Sequence, residues 1–377
     1  MTQSMSQFLL GYLPLVIFIA IALVISLALL LIPLTIVLDH VGGVPPPALF
    51  FAAAVAIFPL AALLVHATEQ LATYTGDTIG GLLNATFGNA PELIIALVAL
   101  KAGLYDMVKA SIIGAILANM LLGLGAAFLL GGTKRHVQEF NPAASRNYMT
   151  MMLLAVISLA VPSTFHNFVT ADTIKHEQYV NLAVALVLLV TYFLSLVFIL
   201  KTHPDFFESL GQVEEHGAEE RWSLLRAVAT LLLTSVFVAF MSEILVGAVE
   251  ETARTLGMSQ AFIGIVVLAV IGGAAESSSA VAMGVKNRMD LSVSIVIGSS
   301  IQMALFVAPV LVLASYFMAP QPLNLVFHRS LLGAVFLTVL IGVMVAGDGK
   351  ANWFKGVQLI TVYVIMAVMF YFLPGSH

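Results

Sequence analysis

Residues Asn84 to Gly103 read NATFGNAPELIIALVALKAG. The run is apolar enough to belong to a membrane-spanning helix, yet Glu92 sits inside it. A charge at the bilayer centre costs at least ~2.5–3.5 kcal/mol. No Lys or Arg lies in mid-span anywhere in the chain to offset that cost. Glu92 must therefore be protonated, face water, or be neutralised by a bound cation.

The rest of the chain supports a membrane setting. Of its 377 residues 60% are hydrophobic and 9% charged, whereas soluble proteins carry about 25% charge. The absence of cysteine excludes disulfides, thiolate metal sites and cysteine catalysis. The net charge of -5 and the lack of any basic run give no sign of nucleic-acid binding. The start, MTQSMSQ, has no positive region, and the apolar run after it is too long for a cleaved signal, so it reads as a retained span.

Apolar runs of about 20 residues or more read as spanning helices. Eleven are expected, near 10–38, 46–74, 78–101, 107–131, 147–163, 177–201, 223–253, 259–286, 290–318, 327–346 and 354–373. Several exceed what a bilayer needs, which suggests tilt or broken helices. The fifth is short and is expected to end at Pro162.

With eleven spans, the loops on the N-terminal side carry Lys134, Arg135, Arg146, Lys201, Arg221, Arg226, Lys286, Arg288, Lys350 and Lys355. The other side carries only Lys101, Lys109, Lys175, Arg254 and Arg329. The excess places the N-terminus in the cytoplasm and the C-terminus outside, in what we expect to be the plasma (inner) membrane of a prokaryote.

The halves of the chain resemble each other. GNAPELIIALVALKAGLYDMVKASIIGAIL aligns with GGAAESSSAVAMGVKNRMDLSVSIVIGSSI, pairing Gly88 with Gly272, Glu92 with Glu276 and Gly114 with Gly298. Upstream, ATEQLATYTG pairs with VEETARTLG. The expected layout is all-α: an N-terminal helix in 1–45, a five-helix repeat in 46–201, an acidic linker in 202–222 and a second five-helix repeat in 223–377. Two serial copies of an odd number of spans have opposite orientation. Inverted repeats are a transporter architecture, with the site at mid-membrane between them.

Glu92 and Glu276 both fall near mid-membrane. Around them lie Asn84, Thr86, Gly88, Asn89 and Pro91 in one copy, and Gly272, Gly273, Ser277, Ser278 and Ser279 in the other. Pro91 is expected to break the hydrogen-bond ladder beside Glu92. Broken backbone at membrane depth is tolerated where its carbonyls line a cavity or hold an ion. Two carboxylates with amide, hydroxyl and carbonyl oxygens, including those of Gly88 and Gly272, form a hard site suited to Ca2+. The empty pair, self-repelling in low dielectric, should hold protons. A site that takes Ca2+ or protons, but not both, is the minimal machinery of exchange. No cofactor is expected.

These motifs, with MSEILVGAVEE and the acidic linker, resemble the cation/proton exchanger (CAX) family of the calcium/cation antiporter superfamily, over nearly the whole chain. The resemblance implies Ca2+ export against inward protons, with Ca2+ and H+ as substrates. It implies Glu92 and Glu276 as shared ligands, with Asn89, Ser299 and Gln302 beside them, Glu69 near the cytoplasmic mouth and Glu243 on the seventh span. The second motif departs from the family's Gly-Asn-Ala-Ala-Glu-His: Gly273 stands where the family has Asn, and Ser277 where it has His.

Other residues carry weaker readings. His66 precedes Glu69 by three and shares its helix face, so it is either a proton relay or a packed pore-mouth histidine. Glu243 is either a gate residue or a helix-cap partner. Glu250 and Glu251 are expected at a membrane surface, where they would attract cations. The linker carries Asp205, Glu208, Glu214, Glu215, Glu219 and Glu220, and either tethers the halves or gathers cations at the mouth. Competing readings are a Na+- or K+-coupled exchanger and, more remotely, a channel or an intramembrane hydrolase; a homo-oligomer is left open.

Overall fold

The computed structural model describes residues 30–133, 135–168, 174–203 and 221–373. Most of the expected first span, the linker carboxylates Asp205, Glu208, Glu214, Glu215, Glu219 and Glu220, and residues 374–377 lie outside the described residues.

The described chain is helical: α1 (Leu30–Val41), α2 (Pro46–Phe87), α3 (Ala90–Lys101), α4 (Tyr105–Gly132), α5 (Pro142–His166), α6 (His176–Thr202), α7 (Leu224–Leu256), α8 (Gln260–Gly272), α9 (Ala274–Val285), α10 (Met289–Met318), α11 (Arg329–Ala346) and α12 (Trp353–Phe372). Eight helices among the described residues are long and apolar enough to cross a membrane, and α8 with α9 forms a further pair bent by 54°. Exposed leucines, valines and phenylalanines cover the outer helices, as a lipid solvent permits. By contrast, 83% of the apolar window of α4 and 72% of that of α10 are buried, against 17% for α6. The central pair is therefore α4 and α10.

Helix α2 reverses direction along its length. A Cβ on Gly80 would lie 2.8 Å from the Ala72 carbonyl oxygen. Eight residues of straight helix would separate those positions by about 12 Å. The apolar stretch Pro46–Thr75 thus forms one crossing, and the chain folds back before reaching Gly88. Arg221 and Trp222 fasten the end of the linker at this reversal. Trp222 N–H donates to Gln70 Oε1 at 3.0 Å, Arg221 Nη2 to the Thr73 carbonyl at 2.6 Å, and Tyr74 OH to the Trp222 carbonyl.

The α5 helix runs through Pro162 to His166 rather than ending at the proline. Pro162 is buried inside the helix, and Asn141 caps its start by accepting from the Ala143 and Ala144 N–H groups. A proline removes one donor and kinks a helix, but this one lies on the buried face with Leu159 and Ser163, and the helix continues past it. The expected span at 78–101 is in turn interrupted, at Gly88–Asn89.

Two sets of loops close opposite ends of the bundle. At one end, Gln138–Glu139 (β1) pairs antiparallel with Lys350–Ala351 (β2), and Gln138 Nε2 donates to the Gly284 carbonyl at 2.9 Å. There Lys355 clasps Asp348 at 2.7 Å. Partial burial pushes the Asp348 carboxyl up, but the Lys355 ammonium and the Lys350 N–H outweigh it and hold the group below its usual range. The clasp's stabilisation is therefore present at neutral pH and lost only as acid protonates Asp348 below that range. At the other end, the segment 319–328 is stitched to three helices through Tyr105 with Gln321, Asn181 with Leu325 and Ser163 with Phe327.

Two glycines that align in the sequence have unlike surroundings. A Cβ on Gly114 of α4 would come within 2.5 Å of the Cα and carbonyl oxygen of Ile265 in α8. A Cβ on Gly298 of α10 would meet nothing within 4 Å. The α4–α8 crossing is shut backbone to backbone, while the space beside Gly298 is open. Gly114→Val should lower the thermal midpoint of the detergent-purified protein, since overpacking costs about 1–3 kcal/mol. Gly298→Val should leave the midpoint nearly unchanged. Equal losses in a tryptophan-fluorescence melt would contradict the asymmetry.

Candidate functional site

Each of two interrupted helices presents a carboxylate at its break. The first break, at Gly88–Asn89, starts α3, and the second, at Gly273, starts α9. Pro91 lies in the first turn of α3, where the missing N–H costs nothing, so it begins a helix rather than breaking one. Glu92 and Glu276 occupy the first turns of α3 and α9. A helix N-terminus bears a partial positive charge that favours an anion there.

Both glutamates are buried, and none of their four carboxylate oxygens meets a hydrogen-bond donor among the described residues. Glu92 packs on Gly272, four residues before Glu276, so both carboxylates belong to the same break. Glu92 lies flat on the second break: a Cβ on Gly272 would sit 2.8 Å from its Cγ and 3.2 Å from its Cδ. Only glycine leaves room there, so Gly272 is a seat for the carboxylate of the other break.

A directed chain of polar side chains flanks the pair. Asn89 Nδ2 donates to Gln302 Oε1 at 2.5 Å. The Ser299 hydroxyl donates to Asn89 Oδ1 at 2.8 Å, and Asn119 Nδ2 donates to Ser299 Oγ at 2.9 Å. Gly88 adjoins this chain, with Gln302 Oε1 3.6 Å from where its Cβ would stand. Asn119 and Gln302 sit where a widened, π-helical turn interrupts each central helix, at Ala118–Gly123 in α4 and at Met303–Val307 in α10. Such turns are frequent at functional sites.

The structure thus brings Glu92, Glu276, Asn89, Ser299, Gln302, Gly88 and Gly272 together. Sequence reasoning missed Asn119 and Gly123. The signal for Asn119 was present: a bare amide inside an apolar span needs a partner as much as a carboxylate does. Gly123 marks where Ser277 packs, its hydroxyl 2.8 Å from the position of a Cβ on that glycine.

The other candidates stand apart. His66 pairs with Glu69 at 3.6 Å, and its ring meets Trp222 edge-on at 4.9 Å, beside the fastened end of the linker. Glu243 is exposed on α7, away from the buried chain. Glu250 is exposed and accepts from Gln260 Nε2 at 3.5 Å, while Glu251 binds Arg254 at 2.7 Å. Glu214, Glu215, Glu219 and Glu220 lie outside the described residues.

No group of three or more His, Cys, Asp and Glu side chains placed to hold a metal occurs among the described residues. A cation at the centre would instead be held by two carboxylates with amide, hydroxyl and backbone oxygens. That donor set fits a hard divalent ion, and the half-helix ends add carbonyl oxygens to it.

Comparison with known proteins agrees in scale with this architecture. A curated Ca2+/H+ antiporter of Aphanothece halophytica is 41% identical over 361 residues, covering 92% of this chain and 95% of its own. The Ca2+/H+ antiporter ChaA of Bacillus subtilis is 40% identical over 332 residues, covering 87% and 93%. Among solved structures, native YfkE superposes with a TM-score of 0.80 at 35% identity, over 93% of this chain and 99% of that one. An H+/Ca2+ exchanger CAX shares the fold at a TM-score of 0.68 and 16% identity, over 92% and 91%. The model of the sodium/calcium exchanger protein family matches residues 45–201 and 226–372, and the chain belongs to that family.

Proposed function

We propose that this chain is a Ca2+/H+ antiporter that exports Ca2+ by alternating access, with Glu92 and Glu276 as shared ligands for Ca2+ and protons. One observation carries the reading: two buried carboxylates, brought to one break, meet no hydrogen-bond donor and no basic side chain among the described residues. An unpaired buried charge costs several kcal/mol. A divalent cation removes that cost for the pair, and so do protons. The names of the antiporter relatives support the choice of ions.

The proposed layout has eleven spans: an N-terminal helix followed by two inverted five-helix repeats. In the first repeat the five are α2 up to its reversal, the remainder of α2 with α3, α4, α5 and α6. In the second they are α7, α8 with α9, α10, α11 and α12. The two separate family matches support it, as do the paired breaks and the loop clusters at opposite ends. The Lys/Arg asymmetry supports a cytoplasmic N-terminus in a prokaryotic inner membrane. On this topology the space beside Gly298 opens to the cytoplasm, and the Gly114–Ile265 contact seals the outside. Closure around Gly298 and release at Gly114 would invert access. Glu69 with His66, and the acidic linker, would stand at the open mouth; Glu250, near Arg254 at the far end of α7, would stand on the outer side.

Glu92→Gln and Glu276→Gln should each abolish pH-gradient-driven Ca2+ uptake into everted vesicles while leaving insertion intact. Near-normal uptake by either would sink the shared-ligand reading, and uptake that needs Na+ instead of a pH gradient would favour sodium coupling. Gly272→Ala should displace Glu92 and remove most of the uptake without loss of folded protein on size-exclusion chromatography. Uptake close to that of the parent would show that Gly272 does not seat the carboxylate.

A further inference from the structure

The aligned turns that follow α3 and α9 share a conformation and differ in residue. Gly103 has φ 78°, and Asn287, at the matching position, has φ 63°. Asn287 is the one non-glycine residue with a positive φ among the described residues. Glycine takes this left-handed backbone freely, whereas asparagine takes it at some cost. The turn after α3 is made with glycine, so conformation alone does not call for the asparagine after α9. The Asn287 side chain is engaged: its Oδ1 accepts from Gln138 Nε2 at 3.0 Å.

Gln138 grips the end of α9 from a distant part of the chain. Its side chain is buried, and its amide nitrogen has two hydrogens to give. One goes to Asn287 Oδ1 and the other to the Gly284 carbonyl at 2.9 Å. Arg135 of the same loop donates to the Val285 carbonyl at 3.1 Å. The last carbonyls of a helix have no partner inside it, so these two side chains cap α9. The backbone of Gln138 is itself fixed by its pairing with Ala351 of β2. Gly131 of α4 closes the other side: a Cβ there would stand 2.5 Å from Gln138 Oε1 and 2.8 Å from the Gly284 carbonyl oxygen. At its opposite end α9 starts from the break with no side-chain cap. Glu276 lies there, about 12 Å along the helix axis from Gly284.

We infer that Gln138 is a positioning residue of the exchange site: through Gly284 and Asn287 it fixes α9 along its axis and so sets the depth at which Glu276 meets the ion. The inference rests on the shared-glutamate reading and adds to it the contact that places one of the two carboxylates. Asn287 is the acceptor that closes the clasp. The short pairing of β1 with β2 serves the same end, since it holds the residue that holds α9.

The test measures radioactive Ca2+ uptake into everted vesicles for three variants. Asn287→Gly removes the acceptor and suits the left-handed backbone, so the turn keeps its shape. Asn287→Asp keeps an oxygen in the same place. Gln138→Met keeps an unbranched side chain of similar volume and removes both donors. A positioning clasp predicts that Asn287→Gly and Gln138→Met raise the Ca2+ KM about threefold or more, the change that loss of a hydrogen bond of ordinary strength carries. Asn287→Asp should keep the parent's KM, and the thermal midpoint of purified Asn287→Gly should not fall. A residue that only shapes the turn predicts parent-like uptake by Asn287→Gly, because glycine adopts this backbone freely. A parent-like KM for Asn287→Gly or Gln138→Met, or an Asn287→Asp as weak as Asn287→Gly, overturns the inference. Glu276→Gln in the same vesicles separates the two levels. If it transports normally, the glutamate reading fails. If it is inactive while Gln138→Met and Asn287→Gly match the parent, only the clasp fails.

Discussion

Two buried carboxylates with no basic side chain beside them among the described residues constrain the rest of this molecule. Glu92 and Glu276 cannot both stay charged and bare in such surroundings without a cost of several kcal/mol. The helices that carry them are broken just before them, so each carboxylate lies in the first turn of a helix, at its N-terminus. Gly272 has no side chain because Glu92 occupies that place. The central helices α4 and α10 widen beside the breaks and bring amides and a hydroxyl to the pair. Each of these features is unfavourable alone and becomes intelligible around an ion.

The same centre makes the proposed alternation economical. A site at the crossing of two interrupted helices needs only small sliding of the helices on either side to change the direction from which it is reached. The backbone contact at Gly114 and the free space at Gly298 give two aligned positions unlike surroundings, as the proposed alternation requires. Helices packed through glycine can separate or close without repacking large side chains. The fastening of Arg221 and Trp222 near the reversal of α2 ties the linker mechanically to the side that is open.

Much of this was legible in the sequence because membrane burial makes polar residues conspicuous. Glu92 and Glu276 stand out since no Lys or Arg lies in mid-span beside them, and the internal alignment pairs them. Other elements were less legible, for physical reasons. Pro91 and Pro162 carry the same local signal, yet one starts a helix and the other lies buried inside one, since packing decides whether a lost hydrogen bond ends a helix. Asn119 escaped because it lies just past the aligned stretch, where the same register sets it against Met303 and gives no cue. Spacing alone leaves Glu243 as either a gate residue or a helix-cap partner; α7 turns it outward, a matter of rotation that spacing does not settle.

The central claim is that Ca2+ and protons compete for one pair of carboxylates. Its most direct measure is the number of protons released when Ca2+ binds to the purified protein, obtained by calorimetry in two buffers of different ionisation enthalpy. The account predicts that the apparent binding enthalpy depends on the buffer, that protons are released, and that Ca2+ affinity falls as pH falls. A binding enthalpy identical in both buffers, across the pH range where affinity declines, would contradict it.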